Sequence, residues 1–393
     1  MKTKTKQCII LAGGFGTRLG NLTKKTPKPL LKFQNKPFLF YLMHSLKQQG
    51  IEQFLILTFY KSHLFKDKIF KDFNVKILKE KTKLGTGGGI INFKKYLKSS
   101  FFVVNGDTFF NINLKDFEKE VFKNKSNIGV ALTKNLTQIN NLNYSISKQN
   151  IVKKLSIVKK PKLVSGGIYL VRKKIISKIK EKNELDLDHD IIKRLLIDTK
   201  VTAKYYNQKF IDIGSIKSYE FLKKNFLNFY YRKCCFLDRD GVINEDYGYV
   251  HQIKKFKWKK NVLKAIKYLN DKKFLVIIIT NQAGIAKAIF NMKQYLRLKK
   301  YYLNKITSYG AKIDAVYECF DHPDGKIKKY TKKSFMRKPS PGMILKACDD
   351  FYINKNKSFF IGDKISDKDA AKRAGIKFYY VEENILSQIK RII

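Results

Sequence analysis

No stretch of this 393-residue chain stays apolar for the roughly 20 residues a membrane helix requires. That excludes helical membrane-spanning classes from the reading. Cysteine is scarce and odd in number: Cys8, Cys234, Cys235, Cys319 and Cys348, with no CxxC pair. Reduced, mostly buried thiols are expected rather than a disulfide framework. Acidic residues are few, 32 against 82 Lys and Arg, giving a formal net charge of +50. Such a charge can mean nucleic-acid or anionic-membrane binding. Yet the sequence has no RGG, RNP-like or zinc-finger pattern, and its lysines are spread throughout. Lys, Ile, Asn, Phe and Tyr all abound, as A/T-rich codons would give. The compositional explanation is therefore carried forward. No nucleic-acid or membrane partner is expected, although the general field favours anionic substrates. A Gly/Ser linker, a short-period repeat and low-complexity tracts beyond the lysine bias are also lacking.

What is present is ample material for burial: 44% hydrophobic and 13% aromatic residues. The length suits two domains rather than one core. The opening MKTKTKQCIILAGG has a basic flank, but its apolar segment stops at the glycines after Ala12. It is expected to be a first strand with a basic leader, in a cytoplasmic protein. Segments 7–12, 54–58, 75–78 and 101–105 read as strands, and 37–50 and 90–98 as helices. This rhythm predicts a mostly parallel sheet with helices on both faces. Shorter strands at 128–133, 144–148, 151–158 and 167–171 suggest a meander, and another strand ends in KFIDIGS at 209–215. After the amphipathic run SYEFLKKNFLNFYYRK the strand–helix rhythm restarts, with strands at 234–237, 274–280, 315–319 and 358–361. The expected fold is therefore α/β, as two doubly wound domains at 1–230 and 231–393.

In LAGGFGTRLG, following the first strand, Gly13, Gly14 and Gly16 let backbone amides approach an anion, with Thr17 beside them. Arg18 adds a charged fork suited to phosphate oxygens. The spacing is neither GxGxxG nor a P-loop. TPKPLL sets Lys28 between two prolines, which stiffen its loop. KLGTGGGI is a second glycine loop, suited to close approach by a flat base. NGDT and FIDIG place Asp107 and Asp212 at strand ends, where ligands of open α/β sheets bind. Two aspartates with triphosphate oxygens make a plausible Mg²⁺ site.

Taken in order, GG-x-GTRL, PKP, LGTGG, NGD and D-I-G resemble the sugar-1-phosphate nucleotidyltransferase family over about the first 225 residues. The resemblance implies that Arg18 and Lys28 hold the triphosphate of an NTP, that Asp107 and Asp212 bind Mg²⁺, and that Gly87 and Gly88 lie near the base. It places Lys160 on the sugar phosphate, although the usual preceding acid is Lys159 here. It places Glu80 near the sugar or base; a solvated loop charge is the alternative. The similarity to heptose 1-phosphate guanylyltransferases suggests GTP, which the residues themselves do not select.

The stretch FLDRDGVIN, residues 236–244, puts Asp238 and Asp240 two positions apart at the end of a buried strand. Such acids repel unless a cation lies beside them. SFFIGD ends a further strand in Asp363, with Asp367 four residues on; FLVIIITNQ ends another in Thr280 and Asn281; RKPSPG supplies Arg337 and Lys338. This order resembles the haloacid-dehalogenase phosphatase superfamily over about residues 233–393. The resemblance implies Asp238 as nucleophile, Asp240 as acid and base, and Thr280 and Lys338 on the phosphoryl oxygens. Mg²⁺ would be held by Asp238, the Asp240 carbonyl and Asp363. DRDGVIN, YGYVH, TNQAGIA and RKPSPGM narrow the likeness to heptose 1,7-bisphosphate phosphatases and the related histidinol-phosphatases. Asn281 and Arg337 are then expected to position substrate, and no large cap fits between the motifs. His251 either contacts substrate or is a structural loop histidine. Members of that group often carry a loop zinc on C-x-H and C-x-C pairs. Here Cys319 is followed by Asp321, Ser334 and Met336 at the other three positions, with His322 out of register. No structural zinc is expected.

A phosphatase feeding such a transferase must leave the anomeric phosphate, which is the transferase nucleophile. The combined expectation is a bifunctional enzyme of nucleotide-activated heptose synthesis for surface polysaccharide. It would remove the 7-phosphate of heptose 1,7-bisphosphate and then transfer NMP, from GTP, to heptose 1-phosphate. The alternatives are the same two activities on another sugar, histidinol phosphate for the phosphatase, and a basic nucleic-acid-binding protein with inactive enzyme folds.

Overall fold

The computed structural model describes residues 2–134, 142–176, 179 and 184–393. The chain forms two compact units, Met1–Asn225 and Phe226–Ile393. All five cysteines are buried and unpaired.

In the first unit the apolar segments fold as β1 (Gln7–Leu11), β2 (Gln53–Thr58), β3 (Val75–Lys79) and β4 (Ser100–Asn105). They continue as β5 (Thr108–Phe110), β6 (Ile128–Lys134), β7 (Leu142–Ile146) and β8 (Val152–Ile157). The last of this unit are β9 (Leu163–Arg172), β10 (Val201–Tyr205) and β11 (Phe210–Asp212). Seven of them make one sheet in the order β10-β6-β9-β4-β1-β2-β3. The pairs β1–β2, β1–β4, β2–β3 and β6–β10 are parallel, whereas β9 runs antiparallel to both β4 and β6. The expected meander is not what forms. Of the four strands expected in it, β7 and β8 pair as a separate two-stranded ribbon, while β6 and β9 join the main sheet. Periodicity marks a strand but not its partner, and burial of Val130, Leu132, Tyr169 and Val171 within the sheet's core decides the pairing.

Helix α1 (Phe38–Gln48) buries Phe38 through Met43 and Leu46. Helix α2 spans Gly85–Asn92, starting within the glycine loop rather than at Ile90. Helix α3 (Leu114–Lys123) is capped by Asn113, whose side chain accepts from the Asp116 N–H. Helix α4 (Ile216–Tyr230) is the amphipathic run found in the sequence.

The second unit has a five-stranded, wholly parallel sheet. Its strands are β12 (Cys234–Leu237), β13 (Leu275–Asn281), β14 (Ala315–Cys319), β15 (Phe359–Gly362) and β16 (Lys377–Tyr380), in the order β14-β13-β12-β15-β16. The intervening helices are α5 (Val262–Asp271), α6 (Met292–Ser308), α7 (Gly342–Phe351) and α8 (Ile365–Ala374). Two apolar clusters cover opposite faces of the sheet. One holds Cys235, Leu237, Val276 and Ile278; the other holds Cys234, Phe236, Leu275 and Ile277. That alternation is the period-2 signature of strands buried on both faces. Because all strands are parallel, Asp238, Thr280 and Asp363 emerge at one edge of the sheet.

Candidate active sites

In the first unit a cavity of about 550 Å³ opens beyond the ends of β1 and β4. Gly13, Gly14 and Phe15 line it from the first loop, and Lys28 and Asp107 line it opposite. Lys28 Nζ lies 2.5 Å from Asp107 Oδ2. Pairing of β11 with β5 sets Asp212 opposite Thr108, and the Ile213 N–H donates to the Asp107 carbonyl. Two strand ends distant in sequence therefore present adjacent carboxylates. Burial, and then the neighbouring Asp107 charge, raise the Asp212 carboxyl to about 6; Lys28 and Arg18 oppose the shift. A Cβ on Gly214 would meet both the Asp212 carboxylate and the Arg18 guanidinium, so Arg18 stands beside that pair. Gly16 adopts φ +71 and packs on the Lys28 stem, fixing the loop that carries the exposed Thr17 and Arg18.

Other expected residues fall elsewhere. Gly87 and Gly88 do not line this cavity; Gly85 and Thr86 do. Both Gly87 and Gly88 N–H groups point at the Leu185 carbonyl, and a Cβ on Gly87 would collide with Ile191. At Gly87 the missing side chain lets Ile191 and the Leu185 carbonyl pack close. Lys160 is exposed in the connection between β8 and β9 and is not among the lining residues. Glu80 does line the cavity, and burial raises its carboxyl to about 7, against a lowering by the Leu84 backbone N–H. The sequence reading missed a third wall, made by Glu184, Asp186 and Asp190. Asp186 caps the π-helical turn Leu187–Ile192 by accepting from the Asp188 and His189 N–H groups, and accepts from Thr86 Oγ1 at 3.0 Å. The signal was the acidic run ELDLDHD in a chain poor in acids.

The site of the second unit is smaller and more buried, about 320 Å³. Asp238 at the end of β12 is 5% exposed, and Asp367 and Arg239 are fully buried. Lys338 Nζ sits 2.8 Å from Asp238 Oδ1 and 2.6 Å from Asp367 Oδ1, and donates to the Ile279 carbonyl at 2.9 Å. Asn281 holds that lysine's backbone on both sides: its Oδ1 accepts from the Lys338 N–H and its Nδ2 donates to the Lys338 carbonyl. Burial raises the Asp238 carboxyl to about 7; Lys338 lowers it and Asp367 raises it. Burial alone would depress Lys338, but the two carboxylates beside it outweigh that and raise it.

Carboxylate oxygens of Asp238, Asp363 and Asp367 lie within 4.8 Å of one another, a set that could hold a cation. Asp363 Oδ1 is buried without a hydrogen-bond partner, and burial raises that carboxyl. Asp238 Oδ1 and Asp367 Oδ1 have the Lys338 ammonium near but no well-directed hydrogen bond. An oxygen-lined pocket with such lone pairs fits a hard divalent ion. Asp367, absent from the expected ligands, also accepts from the Asp363 and Lys364 N–H groups and so caps α8. Its spacing after Asp363 was the legible signal. The Asp240 carboxylate stands apart from this cluster, bonded by Arg239, Asn244 and Gln282. Thr280 Oγ1 is buried and accepts from Gln282 Nε2. Arg337 lines the cavity and donates to the Asp321 carbonyl. Lys364 pairs with Asp246 at 2.6 Å, both at the cavity wall. His251 instead stacks on Phe290, with centroids 5.0 Å apart, and its Nδ1 is 2.8 Å from the Tyr249 carbonyl. The neighbouring Tyr249 and Gly248 line the cavity. In the loop after Cys319, Phe320 packs edge-on against Tyr295 and Tyr330, and His322 N–H donates to the Tyr330 carbonyl.

The nucleotidyl transferase family model matches residues 7–228, over half of the chain. A polynucleotide kinase 3 phosphatase model matches residues 236–384. The solved HddC of Yersinia pseudotuberculosis in complex with GMP-PN is 28% identical at a TM-score of 0.50, covering 56% of this chain and all of that one. The D-glycero-alpha-D-manno-heptose-1,7-bisphosphate 7-phosphatase of Photorhabdus laumondii is 42% identical over 144 residues, 37% of this chain and 79% of that protein. The beta-anomer 7-phosphatase of Haemophilus ducreyi is 41% identical over 147 residues, 37% of this chain and 80% of that protein. Through its first unit the chain thus belongs to the nucleotidyl transferase family, and its second unit belongs with the heptose-bisphosphate 7-phosphatases, so that one polypeptide joins a nucleotidyltransferase to a phosphatase.

Proposed function

We propose that this protein is a bifunctional enzyme of nucleotide-activated heptose synthesis. Its second unit removes the 7-phosphate of a heptose 1,7-bisphosphate, and its first transfers GMP from GTP to the resulting heptose 1-phosphate, releasing pyrophosphate. The observation that carries the reading is the union itself. The phosphatase half is 42% identical to a heptose-bisphosphate 7-phosphatase, and the transferase half resembles a protein solved with a GMP analogue. A 7-phosphatase leaves the anomeric phosphate, which is the group a nucleotidyltransferase needs as nucleophile. NTP and sugar phosphates as substrates, with no membrane-crossing helix among the described residues, fit a cytoplasmic setting.

In the second unit Asp238 attacks the distal phosphorus; its Oδ–P bond forms as the bond to the sugar oxygen breaks. Asp240 gives that oxygen a proton, then takes one from the water that cleaves the aspartyl-phosphate, releasing phosphate and restoring Asp238. Lys338 and Thr280 hold the phosphoryl oxygens. Asn281 fixes the Lys338 backbone, which keeps the ammonium in place before substrate arrives. Asp238, Asp363 and Asp367, with the Asp240 carbonyl, would hold Mg²⁺, which supplies neutralisation of phosphoryl charge. Arg337 reaches the part of the cavity where the remainder of the substrate lies. In the first unit Arg18 and Lys28 draw charge toward the leaving pyrophosphate, while the glycine loop presents N–H groups to the triphosphate. Asp107 and Asp212 would hold a second Mg²⁺. Glu80 and the wall of Glu184, Asp186 and Asp190 offer acceptors to sugar hydroxyls or base N–H groups.

Incubating the protein with heptose 1,7-bisphosphate and mixed NTPs, followed by mass spectrometry, tests the assignment. GDP-heptose and equal phosphate and pyrophosphate are expected. Phosphate release from another sugar bisphosphate or from histidinol phosphate, but none from the heptose compound, would reject it. A 3′-phosphorylated oligonucleotide serves as competitor, and its dephosphorylation in preference to the sugar would favour a nucleic-acid substrate.

A further inference from the structure

We propose that Arg239 is the positioning residue for Asp240: it clamps that carboxylate in one orientation and acts on the phosphatase reaction only through it. The proposal rests on the acid–base role given to Asp240 above.

Arg239 is fully buried and is among the largest side chains enclosed in the molecule. A buried cation is costly to desolvate unless well paired, and an apolar side chain of similar volume often serves stability as well or better. Packing alone therefore does not explain an arginine here. Its guanidinium forks onto Asp240: Nε lies 3.1 Å and Nη2 2.7 Å from Oδ1, and Nη2 lies 2.6 Å from Oδ2. Nη2 also donates to the Val250 carbonyl at 2.8 Å, which anchors the fork to the segment that lines the cavity through Gly248 and Tyr249. Asn244 Nδ2 reaches Oδ1 at 2.9 Å, and Gln282 Nε2 reaches Oδ2 at 3.0 Å. Both oxygens are thus held, by three side chains.

Helix α6 buries Tyr295, Leu298, Tyr302 and Ile306, and the first and third of these stand close enough to Arg239 to feel its charge. Tyr295 donates to Glu318 Oε1 at 2.5 Å, and Lys299 pairs with the same oxygen at 2.6 Å. Nothing places Arg239 at the cavity surface, so it touches Asp240 and not the substrate.

An acid that must first deliver a proton to a sugar oxygen and then take one from water needs one fixed aim for both transfers. The separation of these two steps supplies the test. A sugar phosphate needs leaving-group protonation, whereas 4-nitrophenyl phosphate does not, because nitrophenolate leaves unaided. Arg239→Lys keeps the charge but loses the fork, and Arg239→Met keeps the volume. Both are expected to lower kcat on a sugar bisphosphate about 10²-fold with KM nearly unchanged. With 4-nitrophenyl phosphate they should still release about one equivalent of nitrophenol in a burst before slow turnover. Asp240→Asn should give the same pattern, and Asp240→Asn with Arg239→Met should be no slower than Asp240→Asn alone. A folded Arg239→Lys protein with wild-type turnover, the absence of a burst, or a further loss in the double variant would overturn the positioning role. If Arg239→Met fails to fold, Arg239→Lys decides. Wild-type turnover by Asp240→Asn would instead overturn the acid–base reading and leave the clamp without a purpose in catalysis.

Discussion

The two sites solve related electrostatic problems in opposite ways. Each brings together acids from strand ends beside a lysine. In the second unit the lysine side chain is 3% exposed and wedged between aspartate side chains that are 8% and 1% exposed. In the first, Lys28 is 11% exposed and Asp107 21%, at the rim of a larger cavity. Under the proposed roles, the difference follows from where the nucleophile comes from. On the proposed mechanism, a phosphatase whose own Asp238 attacks phosphorus needs that side chain fixed before substrate arrives, and burial supplies the rigidity. A nucleotidyltransferase joins two substrates and needs room for both, so its charges stay near solvent and its loops carry glycine.

The sharpest separation of the sites is chemical. Asp238→Asn should lower phosphate release by at least about 10³-fold while pyrophosphate release continues, and Asp107→Ala should do the reverse. Loss of both activities from either well-folded variant would mean the sites are not separate. Next in size is the contrast in burial. Lys338→Met strands Asp238 and Asp367 side by side and should cost about 3–5 kcal/mol, whereas Lys28→Met should cost about 1 kcal/mol or less. Trp258, the sole tryptophan, lies in the second unit, so its fluorescence in a urea titration reads the first of these directly. Equal small losses would show that the buried site is more hydrated than its geometry indicates.

Glycine gives a finer comparison. Gly241 has φ +87, and a Cβ there would run into the Asp363 carboxylate, whereas a Cβ on Gly14 would meet nothing within 4 Å. Gly241→Ala should cost about 1–3 kcal/mol and weaken Mg²⁺ binding, measured by calorimetry, while Gly14→Ala leaves stability nearly unchanged. The smallest effect concerns Glu80. Burial holds its carboxyl at about 7 in the folded protein, against 4.5 for the free group. Between these values the unfolded chain has lost the proton and the native state keeps it, so this group lowers stability as pH rises from about 4.5 to about 7. Glu80→Gln should flatten the stability profile in that window; an unchanged slope would place the carboxyl in water.

Much of this was legible from short segments. The strand expected at 234–237 forms at Cys234–Leu237, and Asp238, Thr280 and Asp363 come to one edge because parallel strands point their ends together. The glycine loop misled in one respect. Glycine disfavours a helix interior, yet α2 begins at Gly85, and Leu185 and Ile191 press so close that Gly85 and Gly87 have no space for side chains. The acids at 184–190 escaped notice because nothing local sets them opposite Thr86, and the Thr86–Asp186 bond joins residues far apart in the chain.

The sequence by itself determined the apolar strands and the order of acids, lysines and glycines at their ends. Those are local properties, written in hydrophobic periodicity and in the backbone freedom of glycine. Only the tertiary structure decided which of these groups meet: Lys338 between Asp238 and Asp367, Gln282 on Asp240, β9 reversed within its sheet. Each such meeting joins segments distant in the chain, and the energy that selects it is burial of apolar faces and pairing of desolvated charge, which no single segment possesses alone.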